Sequence, residues 1–186
     1  MEAVLQTGWA GGQFKAYALP DCVIGPQASR VTFQSEVKGT DEYTQRGTLD
    51  GWQQGIAAAA VGNPMLVLAL CVAFAGPVLA LVGAESGGLH LIGDSSTGKT
   101  TALQAAASVW GGDGFRRSWR TTANGLEGAA ALFNDSLLAL DEISECDPRD
   151  VGEVVYMLGN GRGKQRASRM GAARAVHRWR SSILST

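Results

Sequence analysis

The sequence predicts an α/β protein, and two observations carry that expectation. From Gly88 onward, short apolar runs of strand character alternate with helical runs, the pattern of a sheet covered by helices. Directly after the first of these runs stands GDSSTGKTT, residues 93–101, a loop of small residues whose two glycines are five apart, and a helical run follows it. Strand, glycine-rich loop and helix in that order are the setting in which G-x-x-x-x-G-K-[ST] becomes a phosphate cradle. Ahead of this core, residues 87–186, the chain divides into a β-rich segment over 1–46 and a helical lead-in over 47–86.

The N-terminal runs VLQTGW and QFKAYALP flank Ala10, Gly11 and Gly12, which predicts a hairpin. CVIGP and RVTFQSE give two further short strands separated by PQAS, and the polar stretch VKGTDEYTQRGT reads as a loop. Thr48 is placed to cap a helix that runs to Val61 and is ended by Gly62, Asn63 and Pro64. Residues 64–84 then run without a charge for about the length a bilayer requires. The Gly76-Pro77 break, the lack of any Lys or Arg between Arg46 and Lys99, and the phosphate loop close behind favour a helix packed on a sheet over a membrane span. In the core, strands are expected at 88–92, around Phe115 to Arg120, at SLLALDE and at RWRSSILST. Helices are expected at 99–110, 123–133 and from Pro148 to about Leu158.

Composition narrows the class. At 186 residues, 45% hydrophobic and 18% charged, the chain is globular rather than disordered. Cys22, Cys71 and Cys146 are odd in number and widely spaced, and only two histidines are present. That argues against a disulfide framework or a zinc site and for a reducing cytoplasm. The N-terminus has neither a basic region nor an apolar core of the secretory type.

The loop chemistry follows from holding a polyanion without leaving buried charge unpaired. Gly93 and Gly98 free the backbone so that the N–H groups of Asp94, Ser95, Ser96, Thr97, Gly98, Lys99, Thr100 and Thr101 converge on one concavity. The following helix adds the positive end of its dipole. Lys99 is expected to reach the β- and γ-phosphates and the Thr100 hydroxyl to ligate Mg²⁺. In LLALDE the carboxylates appear only where the apolar strand emerges, which places Asp141 for Mg²⁺ and Glu142 for the attacking water.

An Asp-Glu pair with an extra strand between the two motifs resembles the additional-strand, catalytic-glutamate P-loop ATPases, which include AAA+ proteins and superfamily 3 helicases. That resemblance implies a sheet in which the fourth strand, SSILST, lies between the strands carrying the motifs. Its tip, Ser185 or Thr186, would then act as a sensor beside the γ-phosphate, with Ser185 taken as that residue. Taken together, ESGGLHLIGDSSTGKTTAL, SVWG, NGLEGAAALFNDSLLALDE, DPRDVGEVVYMLGNGRGKQRASR and WRSSILST are similar to the domain-of-unknown-function family 927, as are LPDCVIGP and GTLDGWQQGIAAAAVGNPMLVLALCVAFAGPVL. This family comprises bacterial, phage and mobile-element proteins with a P-loop ATPase domain. It implies ATP and Mg²⁺ as cofactors, hydrolysis assisted by Lys99 and Glu142, a helicase-like role in replication, and a homo-oligomeric ring. Asp94 departs from the pattern, where relatives carry proline, and its carboxylate must point away from a triphosphate. Relatives continue past the sensor strand, so a sheet truncated at its C-terminus and weak activity of the isolated chain are expected.

After Glu153 the chain carries seven cations and no acid: Arg162, Lys164, Arg166, Arg169, Arg174, Arg178 and Arg180. In superfamily 3 helicases the corresponding connection bears a pore-facing hairpin. By that resemblance Arg162, Lys164, Arg166 and Arg169 are candidate contacts to the phosphates of single-stranded nucleic acid. A solvated loop and a contribution to a neighbouring subunit's nucleotide site are the competing readings. A nucleotide-dependent switch and a membrane-anchored ATPase are the alternatives for the whole chain. Trp110, Trp119 and Trp179 are read as core anchors and His90 as a structural histidine.

Overall fold

The computed structural model describes residues 1–35, 42–165 and 176–186. Its centre is a four-stranded, all-parallel sheet of β6 (Gly87–His90), β7 (Arg117–Ser118), β8 (Leu137–Asp141) and β9 (Ser182–Ser185), in the order β6-β9-β8-β7. Parallel neighbours need crossovers, and these are supplied by α4 (Lys99–Ala107), α5 (Ala123–Leu132) and α6 (Pro148–Asn160). With the right-handed crossovers that parallel strands favour, this order calls for α4 on one face and α5 with α6 on the other, and α5 does pack on α6 while α4 packs on β8. Leu137, Leu138, Ala139 and Leu140 are fully buried between them, as a strand covered on both faces requires.

Local signals set the helix ends. Thr122 accepts from the Gly125 N–H at the start of α5 and Asp147 from the Arg149 N–H at the start of α6, each satisfying an otherwise free donor. In the lead-in, Thr48 accepts from the Gly51 N–H and opens α1 (Leu49–Trp52), which continues through a π-helical turn (Gln53–Ala57) into α2 (Ala58–Ala60). Asn63 then caps α3 (Pro64–Leu81), with Pro64 in the first turn.

The uncharged helix α3 packs on α4, β8 and β9 through Ala69, Leu70, Ala73, Gly76 and Ala80. Its small residues allow close approach to the sheet. The opposite stripe, including Val67, Leu68, Phe74, Val78 and Leu81, is exposed. The helix is long and apolar enough to cross a membrane by length and composition, yet its inner face belongs to the core of the α/β unit.

The N-terminal hairpin forms from β2 (Gly8–Ala10) and β3 (Ala16–Ala18), and β4 (Val23–Ile24) extends it. The run VLQTGW is not one strand: β1 (Glu2–Val4) pairs in parallel with β5 (Val31–Phe33), and the chain bends before β2. The loop expected at 37–48 is described only from Glu42 onward, where it is irregular.

This segment is bonded to the sheet at the end opposite the glycine-rich loop that follows β6. Trp9 N–H donates to Asp135 Oδ2 (3.1 Å), the Tyr17 hydroxyl to Asp135 O (2.7 Å), and Thr7 Oγ1 to Leu132 O (2.8 Å). Tyr43 shares a 2.7 Å hydrogen bond with Ser136, and burial pushes its phenol up to about 12, so it stays neutral. Trp110, Trp119 and Trp179 donate their indole N–H groups inward, to Ala73 O, Ser185 Oγ and Leu158 O, as core anchors do.

Candidate functional site

The site residues lie where the strands end. The glycine-rich loop that begins at Gly93 follows β6, Asp141 closes β8 with Glu142 next to it, and Thr186 follows β9. The carboxyl ends of parallel strands, at a point where strand order reverses, are where open α/β sheets take ligands.

Within the loop, Gly98 adopts φ +88° and Ser96 φ +63°, while Gly93 keeps a negative φ. Of the two glycines expected to free the backbone, Gly98 alone uses a conformation closed to most residues, and the other left-handed position in the loop is Ser96. Gly98 caps α4, so Lys99 is its first residue and Thr100 and Thr101 follow in the first turn. The Lys99 ammonium donates to Gly93 O and Asp94 O, both at 2.7 Å, and Thr97 Oγ1 donates to Asp94 O at 2.8 Å. The loop thus folds its own carbonyls onto the lysine. Asp94 and Ser95 are exposed, as is Thr100.

Asp141 is held from both sides. Thr186 Oγ1 donates to Oδ1 at 2.6 Å, and Arg116 Nη1 reaches Oδ2 at 3.1 Å. Thr186 also accepts from the Glu142 N–H at 3.1 Å, and its carbonyl accepts from the Ile143 N–H. Glu142 itself is exposed, takes a left-handed conformation at φ +63°, and its Oε1 accepts from Ser144 Oγ at 2.5 Å.

Ser185 is buried, accepting from Trp119 Nε1 at 2.8 Å and bonded to His90 Nδ1 at 3.0 Å. Of the two residues at the β9 tip, Thr186 is the one that meets the acid pair. Sequence reasoning passed over Arg116, because a cation ahead of a short strand carries no local sign of which carboxylate it will face.

The cation-rich connection begins as a two-stranded stem. Arg162 and Arg178 form an antiparallel bridge, Gly163 N–H donates to His177 O, and Trp179 N–H donates to Gly161 O, both at 2.9 Å. Gly161 lies so close to this stem that a Cβ there would sit 2.3 Å from Trp179 O. Arg162 is exposed, while Lys164 pairs with Glu153 on α6 and its N–H donates to the buried Glu127 on α5. Arg166 and Arg169 lie outside the described residues.

Two features stand apart from the site. A cavity of about 480 Å³ lined by Trp52, Phe74, Ser108 and Trp110 lies at the far end of α4 and contains none of the site residues. Cys146 is buried, and burial, with Asp150 and Asp147 adding, raises its thiol pKa, which disfavours a thiolate nucleophile.

Residues 1–178 match the family described as "Domain of unknown function (DUF927)". The chain belongs to the DUF927 family. A solved structure described as "SCCmec type IV Cch - active helicase" shares its fold, with a TM-score of 0.69 at 24% identity, over 97% of this chain and 36% of that one. This DUF927 chain thus spans little more than a third of that protein. Comparison with curated proteins finds no match.

Proposed function

We propose that this DUF927 chain forms the nucleotide-binding core of an Mg²⁺-dependent NTP hydrolase, with ATP as its nucleotide, of the additional-strand, catalytic-glutamate type. We further propose that it serves as a helicase-like motor on nucleic acid. The observation that carries this reading is the position of β9 between β6 and β8, which sets the phosphate loop, the Asp141-Glu142 pair and the β9 tip side by side at one end of the sheet.

The residues present suit the cofactor. Mg²⁺ keeps several waters and takes one or two protein oxygens alongside the substrate phosphates. The Thr100 hydroxyl and Asp141 carboxylate are such oxygens, and the described residues hold no cluster of three or more His, Cys, Asp or Glu that would suggest another metal. Bound there, Mg²⁺ would neutralise charge on the phosphate oxygens.

Lys99 would exchange its bonds to Gly93 O and Asp94 O for the β- and γ-phosphates. The loop N–H groups would hold the same oxygens without moving charge into the interior. Glu142, exposed beside Asp141, would accept the proton of the water that attacks in line. Thr186, between the two acids, is proposed as the β9-tip contact that registers the γ-phosphate. The motor reading implies a homo-oligomeric ring in the cytoplasm, with the stem at Arg162 and Lys164 offering cations to single-stranded nucleic acid.

Lys99→Ala should lose nucleotide binding, whereas Glu142→Gln should bind and fail to turn over, because the amide keeps the shape without the base. Equal loss of binding in both would refute these roles. A nucleotide-dependent switch is the second reading, favoured by the engagement of both Lys99 and Asp141 by protein groups that a nucleotide would have to displace. Turnover stimulated by DNA separates motor from switch.

A further inference from the structure

Arg116 lies between two carboxylates. Its Nη1 is 3.1 Å from Asp141 Oδ2, its Nη2 is 3.9 Å from Asp113 Oδ1, and its Nε is buried without a partner. Asp113 is almost fully exposed, with 96% of its side chain open to solvent, whereas the Arg116 and Asp141 side chains are largely covered. Arg116 also lines a polar cavity of about 410 Å³ shared with Asp113, Arg46, Gln104 of α4 and Ser108 just past its end, so the guanidinium has room to move.

We propose that Arg116 is a built-in competitor of the metal for Asp141, and that Asp113 is the place to which it withdraws. The inference rests on the reading of Asp141 as the metal acid. With Thr186 on one oxygen and Arg116 on the other, the carboxylate is already neutralised and both its oxygens are engaged. A dication approaching Asp141 meets a fixed positive charge in its path, and like charges in a partly desolvated site repel more strongly than in water. Moving Arg116 to Asp113 leaves the guanidinium with a counter-ion and frees Asp141 Oδ2. The bonds of Lys99 to Gly93 O and Asp94 O make the same sense: the site is closed by internal pairs, each of which must be exchanged. Metal and nucleotide together would then open a site that neither opens alone.

The two carboxylates give opposite tests. Binding of a fluorescent ATP analogue is titrated against Mg²⁺ for the wild type, Arg116→Gln and Asp113→Asn. Removing the competitor should lower the Mg²⁺ concentration for half-maximal tight binding by roughly three- to tenfold. Removing the refuge should raise it by a few fold, while metal-free binding stays unchanged in both. An Mg²⁺ requirement that is unchanged or raised in Arg116→Gln overturns the proposal, because Arg116 would then support Asp141 rather than compete. An unchanged requirement in Asp113→Asn overturns the withdrawal to Asp113, and this exposed position tests it without disturbing the fold. Should Arg116→Gln fail to fold, Arg116→Lys serves, and its Mg²⁺ requirement must fall between wild type and the expectation for Gln. Wild type that binds no nucleotide refutes the nucleotide-site reading itself. Lys99-dependent binding with an Mg²⁺ requirement indifferent to Arg116 refutes this inference alone.

Discussion

Gly76→Ala sets two effects of known sign against each other. Gly76 lies inside α3, where alanine is favoured over glycine by about 0.8–1.0 kcal/mol. Its Cα, however, passes over the start of β8, so an added Cβ would lie 2.5 Å from the Ser136 carbonyl carbon and oxygen and 2.6 Å from its Cα. All three are backbone atoms, which cannot rotate aside. Carbon atoms rest about 3.5–4.0 Å apart, so α3 would have to lift by about 1 Å along its inner face. Ala69 and Ala73, packed on the same side, would be drawn away from the sheet with it. Overpacking costs about 1–3 kcal/mol.

With three backbone atoms at 2.5–2.6 Å the cost belongs in the upper half of that range, about 2–3 kcal/mol, so that set against the gain in propensity the net loss should be about 1–2 kcal/mol. For a chain of this length that is a fall in Tm of roughly 2–8 °C. Gly128→Ala is the matched control. Gly128 is exposed within α5 and a Cβ there meets nothing within 4 Å, so alanine should raise stability by about 0.5–1 kcal/mol. Thermal and urea unfolding followed by far-ultraviolet circular dichroism would measure both. A Gly76→Ala chain as stable as the wild type, or two variants that shift in the same direction, would refute the claim that the close approach to Ser136 governs the packing of α3.

Other outcomes test the remaining parts. If the cation-rich connection grips single strands, replacing Lys164, Arg166 and Arg169 together by alanine should reduce the log–log salt slope of oligonucleotide binding by roughly two, about 0.7 for each phosphate no longer neutralised; an unchanged slope refutes the nucleic-acid role of this connection. Burial raises the pKa of Asp135 above 3.8, more than the Trp9 N–H, Arg180 and Asn134 lower it. The folded chain therefore holds this proton more tightly than the unfolded one, and its contribution to stability declines as pH rises from 3.8 through the folded value. Asp135→Asn should flatten the pH dependence of urea stability in that window, and parallel curves for the two chains would contradict it. Trp119→Phe removes the indole donor to the buried Ser185 Oγ and should cost about 1 kcal/mol in the same unfolding assay, whereas no loss would show that His90 alone satisfies the serine.

What could be read along the chain was whatever neighbours in sequence decide among themselves. The glycine spacing and Lys99 announce the loop, the emergence of Asp141 and Glu142 from an apolar run marks a strand exit, and Thr48 and Pro148 announce helix starts, because each depends on a few consecutive residues. The position of β9 was expected only through resemblance, since pairing between β9 and its neighbours joins segments far apart in the chain and leaves no local periodicity. Tertiary structure alone decided four things: the hold of Arg116 and Thr186 on Asp141, the withdrawal of Ser185 to Trp119 and His90, the exposure of one stripe of α3, and the docking of the N-terminal hairpin on Asp135. The physical reason is common to all four. Hydrophobic periodicity says that a face or a charge must find a partner, while which partner it finds is set by the sheet that brings distant side chains within a few ångströms of one another.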